Sequence, residues 1–348
     1  MQNLLDTAGT GNTGAAATLL EMIGASWMSQ AICVAAELGL ADLLTAGPKD
    51  IDELAQAVDC QPSSLHRLMR ALVSIGLFSE HENEVFKLTT TGALLRSGGQ
   101  PSVRSWAIWW GRHLWPVWEN LGYSVKTNQS ARKMMNGREG YQHIEAAPAV
   151  AMMFNQAMAE LTQIIAGEVL RVYDFAGTKH LVDVGGGYGG LLTAILTAHP
   201  AMHGTLFDLS HAIAEASTHV AKAGIAQRCS LVAGSFFDAA PGNGDVYLLK
   251  SILHNWNDES SIAILRNCRR AMPKEAKLVL VERVMPARMT ESGNSRAAAR
   301  TDLNMLVGLG GRERTETEFV ALLTASGFRT TALLQTTLDY SVIEGVPV

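Results

Sequence analysis

A run of glycines in the middle of the chain has the composition of a cofactor-binding turn. Gly185-Gly-Gly-Tyr-Gly-Gly190 follows an apolar segment and opens a segment with helical periodicity. Gly185, Gly187 and Gly190 satisfy the GxGxxG pattern, in which glycines allow the backbone to approach a dinucleotide closely. Asp208 ends the next predicted strand, at the spacing of a carboxylate that binds ribose hydroxyls. NAD or another adenosine cofactor would satisfy both features, and a tight turn without a ligand is the simpler alternative.

The charge beside the glycines favours one class of cofactor. Asp183 lies two residues before the first glycine, where a pyrophosphate would meet a like charge. A ligand with an ammonium and a sulfonium would meet the opposite charge, and no lysine or arginine lies in the loop. These features favour S-adenosylmethionine (SAM) over a dinucleotide. A solvated or loop-bonded carboxylate is the alternative for Asp183.

A histidine and two glutamates follow later strands of the same predicted sheet. His254 comes after the strand that begins at Asp245, so it is expected at the carboxyl edge of the sheet, where open α/β sheets bind ligands. Glu282 ends the next strand, and Glu313 lies just before a helix with a Thr–Glu capping box. A histidine oriented by a carboxylate is a candidate general base. The alternatives are a helix-capping histidine, a solvated strand-end glutamate and a helix-dipole partner, and Asp302 is a second candidate to orient His254.

Composition and charge exclude several classes of protein. The chain has 348 residues, 47% of them hydrophobic and 18% charged, which is enough apolar surface for a large core. The formal net charge is −5, and residues 1–100 carry five Lys/Arg against eleven Asp/Glu, which argues against binding to nucleic acid. The four cysteines lie far apart, so we expect neither disulfides nor a zinc site. No secretory signal or membrane span is recognised, and a cytoplasmic protein is expected.

The chain has two regions with different patterns of predicted secondary structure. We expect residues 1–17 to be disordered and residues 18–100 to form three helices and a hairpin, the pattern of a winged helix. Residues 101–348 are expected to form the catalytic domain, and its first part, to about 175, reads as helical. Beyond it, strands alternate with helices, which predicts a doubly wound parallel sheet with one antiparallel strand near the end. The predicted strands are 180–184, 204–208, 230–232, 245–249, 277–282, 328–334 and 339–343.

Five motifs occur in an order that resembles one enzyme family. They are Leu181-Val-Asp-Val-Gly-Gly-Gly-Tyr-Gly-Gly190, Phe207-Asp208, Gly234-Ser-Phe-Phe237, Leu249-Lys-Ser-Ile-Leu-His-Asn-Trp-Asn-Asp258 and Gly310-Gly-Arg-Glu-Arg-Thr315. Together they resemble the SAM-dependent small-molecule O-methyltransferases of the caffeate, hydroxyindole and antibiotic type, over about residues 18–345. The resemblance implies a Rossmann-like, seven-stranded α/β sheet with an N-terminal winged-helix dimerisation domain, a homodimer, SAM as cofactor, no metal and a small aromatic hydroxyl as acceptor.

The resemblance also implies roles for individual residues. Gly185 and Gly187 would approach the methionine portion of SAM, and Asp208 would hold the ribose. His254 would be the general base, flanked by Glu282 and Glu313. Adenine would lie at Ser235 and Phe236, where the family usually has Asp then Met, and Lys250 would lie beside the cofactor, as would Asp183 by the charge argument above.

The acceptor is less well defined by the sequence. Phe154, Met158 and Met305 are predicted to line its pocket, because methionine and aromatic side chains adapt to flat aromatic ligands. Plant relatives carry Asn-Pro where this chain has Gly308-Leu309, which favours a bacterial secondary metabolite over a phenylpropanoid. The alternatives are methyl transfer to nitrogen, carbon or a carboxylate on the same fold, and, less favoured, a nicotinamide-dependent dehydrogenase or a winged-helix regulator.

Overall fold

The chain divides into two compact units. A computed structural model describes residues 6–99, 101–138, 142–145 and 147–348. The units comprise residues 1–115 and 116–348, so the division falls later than the boundary expected after residue 100. The reason is close packing within the first unit: a Cβ on Gly111 would lie 2.3 Å from Sγ of Cys33, and Arg104 Nε donates to the Ala36 carbonyl at 3.0 Å.

The first unit is helical with a small antiparallel sheet, as predicted. Its sheet has β3 (Val85–Leu88) in the middle, between β1 (Lys49–Asp50) and β2 (Phe78–His81). Asp50 and Glu53 form a capping box that starts the third helix, and Pro62 begins the fourth. The elements are α1 (Asp6–Glu37), α2 (Leu40–Leu43), β1 (Lys49–Asp50), α3 (Ile51–Ala57), α4 (Pro62–Ser74), β2 (Phe78–His81), β3 (Val85–Leu88) and α5 (Arg104–Trp109), followed by a π-helical turn, Trp110–Leu114.

The first helix is longer than the sequence predicted. Disorder was expected up to residue 17, but α1 begins at Asp6, and residues 1–5 lie outside the described part of the chain. Helix propensity accounts for part of the extension only: the run Ala15-Ala-Ala17 favours helix, whereas residues 6–14 contain three glycines. Within the described residues, one helical stretch, Thr13–Glu37, is long and apolar enough to cross a membrane by length and composition, a test that core helices also pass. Its exposed apolar side chains are Leu19, Leu20, Met22, Ile23 and Trp27.

The second unit is built on a seven-stranded sheet, whose strands in spatial order are β11 (Phe328–Gln335), β12 (Ser341–Pro347), β8 (Lys277–Glu282), β7 (Val246–Lys250), β4 (His180–Val184), β5 (His203–Asp208) and β6 (Cys229–Ala233). Every pairing among β4 to β8 is parallel, and β12 is antiparallel to both β8 and β11. One antiparallel strand was predicted, and the structure inserts it between β8 and the edge strand. The first elements are α6 (Trp115–Trp118), α7 (Leu121–Thr127), α8 (Ala131–Asn136), α9 (Gln142–Glu145), α10 (Pro148–Val172), β4 (His180–Val184), α11 (Gly190–Ala198), β5 (His203–Asp208) and α12 (Ser210–Lys222).

The remaining elements complete the sheet and add a short strand pair that the sequence did not predict. This pair, β9 with β10, is parallel and joins Val284 to Arg314. Two residues per strand are too few to give a periodic signal. The elements are β6 (Cys229–Ala233), β7 (Val246–Lys250), α13 (Asp258–Ala271), β8 (Lys277–Glu282), β9 (Val284–Met285), α14 (Gly293–Gly308), β10 (Arg314–Thr315), α15 (Glu316–Ala325), β11 (Phe328–Gln335) and β12 (Ser341–Pro347).

Each face of the sheet buries its own apolar cluster. Leu181 and Leu248 belong to one cluster, while their chain neighbours Val182 and Leu249 belong to the other. This alternation follows from the period of two of a strand, and burial on both faces explains why the central strands are mostly apolar. By the same alternation Asp183 projects into the face of Leu181, so a carboxylate is placed in an apolar layer.

We predict that Leu206→Ala lowers the free energy of unfolding by about 2–5 kcal/mol, because it removes methyl groups from a fully buried site on β5. A Cβ on Gly186 would lie 2.4 Å from Leu206 Cδ1, so the glycine loop packs directly on this side chain. The measurement is urea unfolding, with Leu209→Ala as control, because Leu209 is 44% exposed. Equal losses in the two variants would contradict this account of the core.

Candidate active site

The glycine loop between β4 and α11 has a backbone that most side chains would not allow. Gly185 has φ +73°, and a Cβ there would lie 2.6 Å from Ile252 Cδ1. Gly187 has φ +59° with open space where its Cβ would be. Positive φ is the region that glycine adopts at little cost, which explains the residue type at these positions. The loop therefore exposes its backbone at the carboxyl end of β4.

Asp208, the last residue of β5, lies against this loop. Its Oδ2 accepts from the Gly187 N–H at 2.7 Å, and its Oδ1 accepts from the Leu209 N–H at 2.7 Å. Burial raises the pKa of Asp208, and the two backbone N–H groups partly offset that rise. The carboxylate thus fixes the loop and retains acceptor capacity for hydroxyls of a ligand.

Asp183 and Lys250 are the charged groups beneath the loop. Asp183 is 1% exposed, and its Oδ2 has no hydrogen-bond partner among the described residues. Burial raises the pKa of Asp183 to about 7, while the Lys250 ammonium acts in the opposite direction. Burial lowers the pKa of Lys250 to about 8, and Lys250 Nζ donates to Thr162 Oγ1 at 3.1 Å. An orphaned buried carboxylate oxygen is a place where a cationic ligand gains energy, so this part of the site fits a sulfonium-containing cofactor.

The segment after β6 adds an aromatic wall. The Phe236 ring lies 3.4 Å from the position of a Cβ on Gly185, and Gly234 N–H donates to the Asp208 carbonyl at 3.0 Å. Ser235 Oγ accepts from the Phe237 N–H, so its hydroxyl caps the turn. Ser235 and Phe236 therefore lie at the same sheet edge as Asp208.

Trp256 extends this wall, and sequence reasoning missed it as a site residue. Its ring contacts Phe237 edge-on with centroids 4.8 Å apart, and its Nε1 is buried without a partner among the described residues. Its place two residues after His254 was the signal that could have found it.

His254 forms a buried cluster with carboxylates. Its Nδ1 lies 3.1 Å from Glu313 Oε1, at hydrogen-bonding distance, and 4.0 Å from Glu282 Oε2. His254 is 6% exposed, Glu313 4% and Glu282 0%. Because one ring nitrogen faces the carboxylates, the other, Nε2, remains for a further partner.

The two glutamates have different hydrogen-bond partners. Glu282 Oε1 accepts from the N–H groups of Ile252 and Leu253, at 2.9 and 2.8 Å, so Glu282 holds the backbone that precedes His254. Burial raises the pKa of Glu282, and neighbouring Glu313 raises it further while His254 acts against this. Asp302 Oδ1 accepts from the Glu313 N–H at 2.9 Å. Glu313 is therefore the direct partner of the ring, and Asp302 acts on the backbone of Glu313.

The same three side chains also meet the geometric requirement for a cation site. One ligand atom each from His254, Glu282 and Glu313 lie within 4.8 Å of one another. The family resemblance implied that no metal binds here. The hydrogen bond between His254 and Glu313 already gives the ring nitrogen a partner.

The predicted acceptor residues lie on two helices of the second unit. Phe154 and Met158 are half-buried on α10, and Met305 is half-buried on α14. Helix α10 contacts the glycine loop: Asn155 Nδ2 donates to the hydroxyl of Tyr188, which lies in that loop, at 2.6 Å. The described contacts do not bring the three side chains together into one cavity.

The tryptophans of the first unit serve packing in at least one case. Trp109 is 2% exposed and stacks on His113 with ring centroids 4.5 Å apart. In the second unit, Trp118 Nε1 donates to Asn304 Oδ1 at 3.1 Å.

Two relatives match across almost the whole chain. The phenazine O-methyltransferase PhzM of Lysobacter antibioticus is 41% identical over 95% of this chain and 96% of its own length. The mitomycin biosynthesis 6-O-methyltransferase of Streptomyces lavendulae is 35% identical over 90% and 88%. The crystal structure of LaPhzM superposes with a TM-score of 0.89 at 40% identity, covering 96% of this chain and 99% of that one.

Other relatives show that the fold carries more than one reaction. A phenazine-1-carboxylate N-methyltransferase of Pseudomonas aeruginosa is 30% identical over 95% of the chain and 97% of its own length. The aclacinomycin 10-hydroxylase RdmB of Streptomyces purpurascens is 33% identical over 94% and 89%.

Family models match both units. The O-methyltransferase domain model matches residues 118–329, and the O-methyltransferase dimerisation domain model matches residues 20–98. The matches agree with the seven-stranded sheet and the glycine loop at its carboxyl edge. The chain belongs to the family of SAM-dependent O-methyltransferases.

Proposed function

We propose that this enzyme transfers a methyl group from SAM to a hydroxyl of a small aromatic secondary metabolite, with His254 as general base. The observation that carries the proposal is the buried contact between His254 Nδ1 and Glu313 Oε1 at 3.1 Å. It favours a ring whose Nδ1 holds the proton and whose Nε2 is free to accept one. The fully buried Glu282 places a second carboxyl group 4.0 Å from the same ring nitrogen.

The chemistry follows from this arrangement. SAM, when bound, supplies an electrophilic methyl on a sulfonium. A phenol has a pKa of about 10, so at neutral pH the acceptor oxygen gains from a base that removes its proton as the carbon–oxygen bond forms. His254 Nε2 takes this proton, Glu313 stabilises the resulting imidazolium through Nδ1–H, and the proton then leaves to solvent. The aryl methyl ether and a neutral thioether are the products.

The cofactor roles are assigned to the residues around the loop. Gly185 and Gly187 offer backbone to the methionine portion, Asp208 accepts from the ribose hydroxyls, and Asp183 with Lys250 sets the charge beneath them. Ser235 and Phe236 flank the adenine. The support is the shared sheet edge and the unsatisfied oxygen of Asp183.

The acceptor class is inferred from the relatives and from α10 and α14. The matched relatives are named for phenazine and mitomycin chemistry, which are polycyclic ring systems. Phe154, Met158 and Met305 are assigned to its pocket. A hydroxyphenazine is the first probe, with hydroxynaphthoates and hydroxybenzoates beside it.

Methyl transfer to nitrogen is the second candidate, because one relative of similar length is an N-methyltransferase. Incubation with methyl-labelled SAM and matched hydroxy- and aminophenazines separates the two by the position of the label.

We predict that SAM affinity rises with pH as Asp183 ionises. Burial raises the pKa of Asp183 to about 7, so the carboxylate is mostly protonated at pH 5.5, and a cationic ligand then loses its partner. The dissociation constant measured by calorimetry should fall about tenfold between pH 5.5 and pH 7, where the α-amino group of SAM stays protonated. Asp183→Asn should bind weakly with little dependence on pH. Equal slopes in the two proteins would remove Asp183 from the cofactor site.

We predict that His254→Ala lowers kcat by about 10²–10⁴ while SAM affinity is unchanged, because a positioned base is worth that much. Glu313→Gln should cost less, since the ring remains and only its orientation and charge stabilisation are lost. The loss should shrink as pH approaches the pKa of the acceptor, because the phenolate then forms without help. Near-full activity of His254→Ala at pH 7 with an unactivated phenol would show that the histidine is structural.

We predict a homodimer through the first unit. The exposed face of α1 carries Leu20, Ile23 and Trp27, an apolar surface that a soluble chain covers. Light scattering at micromolar concentration should give twice the 37.4 kDa of one chain. A Leu20→Glu/Trp27→Glu variant should shift toward monomer. A monomeric wild-type protein, or one that sediments only with lipid vesicles, would contradict this.

A further inference from the structure

The turn that carries His254 is held along its carbonyls by one segment, Gly311 to Arg314. The Arg312 backbone N–H donates to the His254 carbonyl at 2.9 Å. The Arg314 guanidinium donates to the Leu253 carbonyl at 2.8 Å and to the Trp256 carbonyl at 2.7 Å. Three carbonyls on and beside His254 thus find their partners in this segment.

Arg314 is the unusual member of this set, because its side chain is completely buried. A buried guanidinium is costly unless its donors are used and its charge is met. Nε donates to Asp258 Oδ1 at 2.9 Å, and Nη2 also reaches Ser261 Oγ at 3.3 Å. Asp258 supplies the negative charge, and the remaining donors act on the main chain of the His254 turn.

The conformation of the turn depends on contacts from other segments of the chain. Ser251, just before it, has φ +55°, a left-handed conformation that costs energy in any residue but glycine. Residues 253–255 form a single 3₁₀ turn, whose own hydrogen bonds are few. Gly311 packs so closely that a Cβ there would lie 2.1 Å from the His254 carbonyl oxygen. The position of His254 is therefore set by its neighbours rather than by local preference.

Two elements that meet at the β9–β10 pair hold opposite sides of this turn. Glu282, two residues before β9, accepts from the amides of Ile252 and Leu253, and Arg314, in β10, donates to the carbonyls of Leu253 and Trp256. Glu313, next to Arg314, holds the ring itself. One strand end thus fixes the ring and the backbone that bears it.

We propose that Arg314 is a positioning residue for His254: its guanidinium fixes the backbone of residues 253–256 so that Nε2 is presented to the acceptor hydroxyl. This rests on the proposed role of His254 as base. Arg314 does not touch the acceptor or the cofactor in this account and acts only through the turn.

The first test follows the turn directly and needs no acceptor. Hydrogen exchange is measured by mass spectrometry on the wild type, Arg314→Gln and Arg314→Lys. The lysine variant keeps the positive charge but lacks the planar guanidinium with its several donors. A peptide spanning residues 250–257 should exchange at least about tenfold faster in both variants, while a peptide spanning residues 203–208 in β5 is unchanged. Arg266→Gln is the matched control, because exposed Arg266 also donates to a backbone carbonyl, that of Ala325. Exchange at the wild-type rate in Arg314→Lys and Arg314→Gln, or faster exchange across the whole unit, would overturn the proposal.

The second test separates positioning from general damage. With a hydroxyphenazine as acceptor, or the most active of the hydroxynaphthoates, Arg314→Lys should lower kcat about 10–100-fold, with the SAM dissociation constant within twofold of wild type. In a His254→Ala background the same change should cost almost nothing further, because the group it positions is gone. A fully additive loss would overturn the proposal. If His254→Ala alone leaves kcat unchanged, the base assignment fails, whereas faster exchange of the turn would still show that Arg314 holds it.

Discussion

A buried imidazole serves as a general base when a partner binds the ring nitrogen that faces the protein interior. That partner must stabilise the positive charge that the ring gains when its other nitrogen takes a proton. In this protein that partner is Glu313, 3.1 Å from Nδ1 and nearly excluded from solvent. In such surroundings a hydrogen bond to a charged group is stronger than in water, and an unpaired carboxylate is costly. This requirement determines how the loops around His254 are arranged. His254 and Glu313 lie on different elements, and the loops must bring their side chains to within hydrogen-bonding distance.

The cofactor side of the site is built on a related constraint. Asp183 projects from β4 into an apolar layer, and its Oδ2 has no partner within the described residues. The Lys250 ammonium lies near enough to lower the pKa of Asp183, but its hydrogen bond goes to Thr162 and not to Asp183. Asp208, by contrast, accepts one backbone N–H on each oxygen, which shapes the glycine loop and leaves further acceptor capacity for the hydroxyls of a ligand. One carboxylate thus builds the loop, and the other keeps an open charge for a cationic ligand.

Sequence reasoning succeeded where side-chain type carries the signal. The glycine turn between a strand and a helix, the strand that ends at Asp208, the alternation of strands with helices and the antiparallel strand near the end follow from period, spacing and composition. It did not separate the roles of Glu282 and Glu313, because one holds main-chain amides and the other the ring, and both are glutamates at a sheet edge. Arg314 escaped notice for a similar reason: its partners are carbonyls, which every residue has. The later unit boundary also had no signal, since it depends on Gly111 packing against Cys33.

The tautomer of His254 is the most direct test of its role as general base. Proton–nitrogen correlation spectra of the ¹⁵N-histidine-labelled enzyme, with His254→Ala to assign the signal, report which ring nitrogen carries the proton when the ring is neutral. We expect the proton on Nδ1, hydrogen-bonded to Glu313, and no proton on Nε2. A neutral ring protonated at Nε2 would contradict it, because that nitrogen could not then accept the proton of an acceptor hydroxyl.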